Sequence, residues 1–576
     1  MRILLASLFA TALLASTACS DDPVGADDDA DDDTTSSGGG ASGGKSSSSG
    51  GKSSSSSGGR SSSGGSSGGS GGTTSSSSGG SGSSSGSSSG DTWPGPSGTA
   101  ITAGVIPNVA DLFTEAAAAH TLATGADDGS FAVAIFSWPT FPAAGGLTIE
   151  KHAADGALTW RKHMAYTPTS DYTNIAMDAA GNVYVAGNVA PVSGFTIDAA
   201  VVPNVRTNEV TSDVGECAVV KLGAADGAKG WHGHVTLAAG LTVPGDVDAQ
   251  CRAVAVRDNQ LVVSGVFATK DVYWVQNGVS TSASGTQSNT TSDITQSFAI
   301  SVAADTGAKN SVNVLLNTGA GSFDSDGSAI ATDGRVLLHA NASGATVKAG
   351  ALVYTPPAAR DSQYHPMAFV NLGAAAPTGV LTAATTLASP NDPSTNFPQV
   401  VALPAGAALF GVSKTIDAAS ATSFRPPNGG AVAPLTAGHA FFVLTNMPTD
   451  ASPGEIRALD FGTATSFQEH YLASGRDGSV ALTGQNGGAL NFGPECATAG
   501  ITTAGSYLVS FGTTPMRGCK FAIALPPGVY PSRTAVGADG RIFVAGLYSE
   551  AATFANGVTL PAPTGEFAPF FASFVP

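Results

Sequence analysis

The chain has 576 residues, of which only 12% are charged and 74 are glycine, and its net charge is −18. An acidic surface repels phosphate, so this charge argues against nucleic acid as a partner and against adsorption onto anionic lipid. Much of the glycine and serine lies in one block near the N-terminus, which leaves residues 98–576 to build a large core.

The N-terminus has the layout of a secretory signal. Arg2 gives a basic start, residues 3–15 form an apolar run too short to span a bilayer as a mature helix, and small residues 16–18 lead to Cys19. This ending resembles a bacterial lipobox, which implies that the Cys19 thiol is acylated; Ser16 departs from the usual leucine. Two or three acyl chains anchor a protein stably. An ordinary cleaved signal with an incidental cysteine is the alternative.

Residues 19–97 are predicted to be a tether after a signal at residues 1–18. The residue after the cysteine is Ser20 rather than aspartate, which in the sorting pattern this resembles implies the outer membrane and, with the tether, the cell surface. From Thr34 to Gly90 the chain is almost entirely Ser and Gly, a composition too polar to offset its ordering entropy. Its root-mean-square span of about 45 Å would lift a folded head clear of the lipid.

Residues 98–576 repeat one pattern, which is an apolar strand, a tight turn and a second apolar strand. The clearest copy runs from Asn174 to Gly187 and reads NIAMDAAGNVYVAG. The turn residues of the seven copies lie 52 to 78 residues apart, at Gly129, Gly181, Asn259, Gly334, Gly406, Gly478 and Gly540. Each copy precedes a second apolar hairpin, so each unit is predicted to hold four strands. The segments between the hairpins, such as those at Val275, Phe492 and Phe554, are predicted to be edge loops.

Four-stranded antiparallel units repeated around an axis are the arrangement of a β-propeller. Runs such as NVYVAG are apolar on both faces, which favours strands buried on both sides over a sandwich with one wet face. The predicted fold is therefore all-β, a monomeric seven-bladed propeller, with a parallel β-helix as the alternative. The last unit has one strand too few before the chain ends, so residues 98–118, in particular the segment from Ile106, are predicted to supply it.

The repeats resemble the seven-bladed β-propeller repeats of bacterial surface lipoproteins, whose core has the form aVAVDxxGNVYVTG…DaFVaKLdxxGxxxW. The residues that carry the resemblance are Met177 to Gly187, Ala218 to Trp231 and Arg533 to Gly546. It covers residues 120–576, although most copies are degenerate. Because the motif is structural, the resemblance implies a fold and a surface location, and it implies little about activity.

Four cysteines remain besides the one in the lipobox: Cys217, Cys251, Cys496 and Cys519. An even number of cysteines in an exported chain favours disulfides. Three pairings are possible. Local pairing, Cys217 with Cys251 and Cys496 with Cys519, closes the smallest loops and is the preferred hypothesis.

Carboxylates stand just before the first strand in five successive units, at Asp171, Asp248, Asp326, Asp392 and Glu469. In a propeller these loops meet around the axial channel, where a ring of carboxylates would attract Ca²⁺ or a basic ligand. The alternative is that aspartate is simply common in the loops of an acidic protein. His232 and His234 share one face of a predicted outer strand and could hold a metal, but exposed histidines are the commoner interpretation.

No catalytic residue is predicted, because the sequence outside the Ser/Gly block shows no nucleophile elbow, metalloprotease histidine pair or phosphate loop. No cofactor is predicted besides the Ca²⁺ of the carboxylate ring. The sequence favours an envelope protein that binds or scaffolds a protein or polysaccharide. A polysaccharide hydrolase with paired channel carboxylates and a purely structural surface component are the alternatives.

Replacing Cys19 with serine should release the protein from the membrane, since this one thiol is predicted to carry the thioether-linked lipid. Cell fractionation with immunoblotting measures the shift, and Ser20→Ala, which keeps the thiol, should stay with the membrane. Equal membrane association of Cys19→Ser and wild type, with no acyl label on the wild type, would contradict the anchor.

Overall fold

The computed structural model contains antiparallel β-sheets and no helix among the residues that it describes. It covers residues 100–575 except 106–117, 138–145, 167, 190–194, 198–199, 203–215, 238–248, 268–271, 278, 282–295, 318–322, 332, 344–346, 350–351, 355–362, 371–378, 388–394, 404–407, 416–421, 426–432, 437, 448–452, 464–469, 491, 493–500, 502–503, 514, 517 and 556. The predicted all-β class is confirmed. The alternative of a parallel β-helix is wrong, because the described strands pair antiparallel.

Seven sheets, numbered here in chain order, each contain two consecutive hairpins or, in the last, a hairpin completed by two further strands. Sheet 1 contains Ala118–Thr124 (β2), Phe131–Ser137 (β3), Gly146–His152 (β4) and Leu158–Tyr166 (β5); sheet 2 contains Pro168–Met177 (β6), Val183–Val189 (β7), Glu216–Leu222 (β10) and Lys229–Leu237 (β11); and sheet 3 contains Gln250–Arg257 (β12), Gln260–Phe267 (β13), Gln296–Ala303 (β16) and Lys309–Asn317 (β17). Sheet 4 contains Phe323–Ile330 (β18), Val336–Ser343 (β19), Gln363–Val370 (β22) and Gly379–Leu387 (β23), and sheet 5 contains Thr395–Ala402 (β24), Ala408–Thr415 (β25), His439–Met447 (β28) and Glu455–Thr463 (β29). Sheet 6 contains His470–Ser474 (β30), Val480–Asn486 (β31), Gly505–Gly512 (β32) and Phe521–Ala524 (β33), and sheet 7 contains Val529–Val536 (β34), Ile542–Tyr548 (β35), Ala568–Phe574 (β38) and Ala100–Val105 (β1).

Short hairpins inserted between the two main hairpins extend the preceding sheet, so that sheets 1 to 4 have six strands each. These hairpins are Phe195–Ile197 (β8) with Ala200–Val202 (β9), Val272–Gln276 (β14) with Val279–Thr281 (β15), Val347–Ala349 (β20) with Leu352–Tyr354 (β21), and Thr422–Arg425 (β26) with Ala433–Leu435 (β27); a fifth, Ala552–Thr553 (β36) with Thr559–Leu560 (β37), pairs with itself alone. The prediction of an edge loop is therefore wrong at Val275, whereas a loop is confirmed at Phe554. Val275 lies in β14, and Phe554 begins the turn between β36 and β37.

The first strand of each sheet lies against the first strand of the next, and β34 of sheet 7 lies against β2 of sheet 1. Side chains join several of these neighbours directly. Thr124 Oγ1 donates to the Val536 carbonyl oxygen at 2.8 Å, and Asn174 Nδ2 donates to that of Arg252 at 2.6 Å. The contacts between first strands therefore form a series that returns from the last sheet to the first.

The hydrophobic core lies between neighbouring sheets. Separate clusters of buried residues join sheets 1 and 2, sheets 2 and 3, sheets 5 and 6, and sheets 6 and 7. Another cluster joins sheet 7 to sheet 1, where Phe131 packs against Phe543 and Phe571 with ring centroids 4.7 and 5.0 Å apart. Strands such as β7 and β13 are buried on both faces, which explains why their sequences are apolar at successive positions.

Tryptophans on the fourth strand connect one sheet to the next. Trp160 Nε1 donates to the Ala224 carbonyl oxygen at 3.1 Å, and Trp231 Nε1 donates to that of Ala304 at 3.0 Å. Each ring lies against a glycine of the same turn: a Cβ on Gly227 would meet the Trp160 ring at 2.9 Å, and one on Gly307 would meet Trp231 at 2.6 Å. The GxxxW part of the repeat is therefore an inter-sheet contact.

The turn of the first hairpin requires a left-handed residue, which glycine adopts at little cost. The predicted turn glycines have φ of 75° to 82°, namely Gly129, Gly181, Gly334, Gly478 and Gly540. In sheet 3 the left-handed residue is Asp258, with φ of 51°, and not the predicted Asn259. Gly406 lies outside the described residues. Aspartates before several of these glycines accept a backbone N–H two residues later, as Asp477 does from Ser479 at 2.9 Å.

A disulfide joins Cys217 on β10 to Cys251 on β12 and so links sheet 2 to sheet 3, which confirms this half of the predicted pairing. Cys519 is disulfide-bonded as well. Its predicted partner, Cys496, lies outside the described residues. The first disulfide thus stabilises an inter-sheet contact that residues distant in sequence make.

Close backbone approach explains the glycine that ends the VAG motif. The first strand bulges between Pro531 and Arg533, opposite Gly546. A Cβ on Gly546 would overlap the Tyr530 carbonyl oxygen and lie 2.9 Å from Pro531 Cα. Gly265 has the same relation to the Gln250 carbonyl oxygen. Because backbone atoms make these contacts, a side-chain rotation cannot relieve them.

Gly546→Ala should therefore destabilise the fold by about 1–3 kcal/mol, the cost of overpacking a tight site. Urea denaturation followed by tryptophan fluorescence measures it. Gly565→Ala is the matched control, since its Cβ would have no neighbour nearer than 3.8 Å, and should change stability by less than about 0.5 kcal/mol. Equal midpoints for the two variants would refute the close-approach argument.

Candidate functional site

The ends of all seven first strands surround one cavity with a volume of about 270 Å³. This is close to the lower end of the range of small-ligand pockets, about 300–1,000 Å³. All seven strands contribute an alanine to the cavity lining: Ala123, Ala176, Ala255, Ala329, Ala402, Ala473 and Ala535. Small side chains allow seven strands to approach one another, and the surface that they leave exposed in the cavity is more polar than apolar.

Hydroxyl groups in the wall largely serve the strands themselves. Thr124 Oγ1 donates across to sheet 7, and Ser474 Oγ donates to the Ala402 carbonyl oxygen on β24 at 2.8 Å. Ser328 differs, because its buried Oγ has no hydrogen-bond partner among the described residues. A buried hydroxyl without a partner is costly, but this Oγ atom is enclosed by protein atoms and is not accessible from the cavity.

Two arginines are the only charged groups among the described residues that line the cavity, and no carboxylate or aromatic ring lines it there. Arg257 ends β12, and its Nη1 donates weakly to the Ile330 carbonyl oxygen at 3.5 Å. Arg476 follows β30, and its Nη1 lies 3.2 Å from Asp127 Oδ1. The cavity therefore has a cationic mouth beside the first-hairpin turns.

Burial and neighbouring charges shift the pKa of Arg257 in opposite directions. Burial lowers the pKa of the Arg257 guanidinium, and the like charge of Arg476 lowers it further, while Asp258 and Asp333 raise it. An arginine nevertheless stays charged at any physiological pH. Both guanidinium-bearing residues line the same cavity.

Sequence reasoning missed this pair of arginines. A signal exists, because both units carry the dipeptide Arg-Asp at the first-hairpin turn, Arg257-Asp258 and Arg476-Asp477. The first arginine is the last residue of its strand and the second follows its strand by two residues. Only the contacts between sheets bring the two turns to one cavity.

The predicted carboxylate ring remains a prediction. Asp171 lies in β6 and Asp326 in β18, each within a stretch where the strand register is irregular. Their side chains lie outside what the structure describes. The residues Asp248, Asp392 and Glu469 lie outside the described residues altogether.

His232 and His234 lie on β11 with ring centroids 5.9 Å apart, and both are buried. The interpretation of exposed histidines is therefore wrong. Burial lowers the pKa of His232 to about 4, with smaller contributions from His234 and Lys229. Across the described residues, no group of three metal-ligating side chains occurs, so the metal interpretation gains no support from geometry.

A buried charge cluster that the sequence analysis did not single out lies between sheets 1 and 7. Glu150 is fully buried and accepts hydrogen bonds from Arg161 Nε at 2.6 Å and His152 Nε2 at 2.9 Å. The His152 ring stacks on Phe131 at 5.1 Å and contacts Phe571 at 4.7 Å. The cluster thus pairs both oxygens of the buried Glu150 carboxylate and packs its histidine against the aromatic rings of sheets 1 and 7.

His470 and Tyr507 form a fully buried pair between sheets 5 and 6. The Tyr507 hydroxyl donates to His470 Nδ1 at 2.8 Å, and Phe442 and Phe461 pack against the imidazole. Burial lowers the pKa of His470 to about 3 and raises that of Tyr507 well above its ordinary value. The imidazole is neutral in the folded chain at physiological pH.

The lowered pKa of His470 predicts that the folded state loses stability at acidic pH. The unfolded state binds a proton near pH 6.5, whereas His470 in the folded state does not until about pH 3. Stability is therefore full above pH 6.5 and falls as the pH drops toward 3, by about 2–3 kcal/mol at pH 4.5 from His470 alone. Denaturation midpoints from pH 7 to 4.5 measure the slope, and His470→Gln should flatten it. Parallel slopes for the two proteins would exclude His470 as the source.

A comparison with protein-family models finds no match, and no curated protein matches the chain. Within the described residues, no helix is long and apolar enough to cross a membrane. The functional argument therefore rests on the geometry of the cavity and on the sequence of the N-terminus.

Proposed function

We propose that the chain is a lipid-anchored outer-membrane protein that displays a closed seven-bladed β-propeller, and that this head binds or scaffolds a partner. The seven sheets are the blades, and the first strands surround the axial channel. The return of contacts from β34 to β2, with a buried cluster joining sheets 7 and 1, supports closure. This is the arrangement that the resemblance to surface lipoprotein repeats implies.

The pairing of β1 with β38 supports closure independently. These strands come from opposite ends of the described chain and pair from Ala100 with Phe574 to Val105 with Phe570. The fourth strand of blade 7 thus comes from the N-terminal side of the head, at Ala100–Val105; the segment from Ile106 lies outside the described residues. Attachment of both ends to one blade distributes strain over the whole ring.

The composition of the cavity wall favours binding over catalysis. A glycoside hydrolase needs two carboxylates that face each other across its substrate. The described wall offers alanine, valine, hydroxyl groups and two arginines instead. These groups can hold a ligand, but they include no general acid or general base pair. Binding is therefore the function that this wall supports best.

Protease treatment of intact cells tests display at the surface. If the head lies outside the outer membrane, as proposed, proteinase K added to intact cells should remove it by cutting the predicted tether. Protection of the head until the outer membrane is permeabilised would contradict surface display. Release of reducing sugar from envelope polysaccharide by the purified chain would contradict a function without catalysis.

Deleting the tether up to Ser97 should leave the melting temperature nearly unchanged, whereas deleting twenty residues more, up to residue 117, should lower it. The second deletion removes β1 and exposes the edge of β38, so we expect a loss of about 5 °C or more in a single cooperative transition. Differential scanning calorimetry measures both. A full-length Ala103→Asp variant, which puts a charge in the β1 contact with the core, should behave like the longer deletion. Equal melting temperatures for the two deletions would overturn closure.

A further inference from the structure

One arginine of sheet 5 holds the connections of sheet 6 beside a disulfide. Arg457 lies on β29, and its Nη1 donates to the carbonyl oxygens of Pro515 at 2.7 Å and Gly518 at 2.8 Å. Its Nη2 donates to the Phe492 carbonyl oxygen at 2.6 Å. A hydrogen bond from a charged donor is about twice as strong as one between neutral groups. A single side chain therefore fixes three points of the neighbouring sheet.

The carbonyl groups that Arg457 binds belong to the two stretches of chain that carry the remaining cysteines. Gly518 directly precedes Cys519, which is disulfide-bonded. Phe492 lies shortly before Cys496 in the sequence, and this cysteine is the predicted partner. Arg457 therefore gathers both stretches that a disulfide between these two cysteines would join.

Packing places the same group of contacts at the boundary between the two sheets. The Arg457 guanidinium lies 5.2 Å from the centroid of the Phe511 ring, which is a cation–π contact. Cys519 belongs to the buried cluster that joins sheets 5 and 6, and Met516 packs against this cluster. Because the donor belongs to sheet 5 and its acceptors belong to the connections of sheet 6, these contacts exist only when the two sheets are docked.

Docking of the sheets and formation of the disulfide favour each other. Contacts that hold two segments together raise the effective concentration of one thiol at the other, and this favours the disulfide. By thermodynamic linkage, the disulfide favours docking by the same factor. The clamp of Arg457 is the contact through which the two events are coupled.

We propose that Arg457 is the positioning residue of a redox-sensitive junction between sheets 5 and 6. Its clamp favours the Cys519 disulfide, and the disulfide holds the segments that the clamp binds. Two thiols of a reductant break the bond by exchange: the two protein sulfurs take up two electrons and two protons, and the reductant becomes a disulfide. Reduction loosens the junction, and oxidation restores it. The device requires only the contact between sheets 5 and 6, so it does not depend on the proposed anchor or on ring closure.

Equilibration of the purified full-length chain with glutathione tests the proposal. Mixtures of reduced and oxidised glutathione are added to the reduced and to the oxidised chain in neutral detergent, and free thiols are alkylated. After reduction and a second alkylating label, mass spectrometry gives the oxidised fraction of each cysteine. Arg457→Gln should lower the equilibrium constant for the Cys519 disulfide about tenfold, the effect of losing a charged hydrogen bond. Arg457→Lys keeps the charge without the planar fork, and its constant should fall between the two.

Two controls separate this role from general stability. The disulfide between Cys217 and Cys251 joins sheets 2 and 3, and its equilibrium constant should be the same in all the variants. Arg335→Gln removes an arginine whose Nε pairs with Asp333 at the first-hairpin turn of sheet 4, and it should leave both constants unchanged.

An unchanged Cys519 constant in Arg457→Gln would overturn the proposal. An equal loss at both disulfides would overturn it as well, because Arg457 would then support the whole fold and not one junction. Cys496→Ser should leave Cys519 reduced, and a Cys519 that stays oxidised in this variant would show that the junction is wrongly assigned. Amide hydrogen exchange should be faster in β29 of Cys496→Ser than in β29 of the wild type. Equal exchange would refute the coupling of the disulfide to docking.

Discussion

Burial of sheet faces against neighbouring sheets is the interaction on which the rest of the structure depends. The buried clusters lie between sheets rather than within them, and one of them joins the last sheet to the first. A single four-stranded sheet leaves one or both apolar faces in water, and it gains stability only when the next sheet covers it. The chain therefore has to repeat the unit, and the contacts between units matter more than any single unit.

Close packing of the sheets places strict demands on side-chain size where strands meet. The glycines opposite the bulges of the first strands admit a neighbouring carbonyl oxygen that a Cβ would exclude, as at Gly265 and Gly546. Alanines keep the first strands close to one another around the cavity. The small size of the cavity is thus a consequence of packing between the first strands.

Charge in this protein has two distinct uses. Many aspartates accept backbone N–H groups in hairpin turns, for example Asp128, Asp333 and Asp539, so their frequency reflects turn chemistry. Among the described residues each of the two cavity arginines makes one side-chain hydrogen bond, and they reach the wall from two sheets far apart in sequence. In a chain with a net charge of −18, a pair of cations at one cavity mouth is the feature that points to a ligand.

The sequence by itself determined the all-β class, the four-stranded unit, the turn glycines and one disulfide, Cys217 with Cys251. These features depend on contacts within one unit or between adjacent units, where alternation, turn residues and loop length carry the information. The tertiary structure decided where the inserted hairpins pair, as β14 does on β11, and that Ala100–Val105 lies beside β38. It also decided that Arg257 and Arg476 line one cavity. These contacts join residues with no fixed spacing in sequence. They are selected by the packing between sheets, and this packing leaves no periodic signal in the chain.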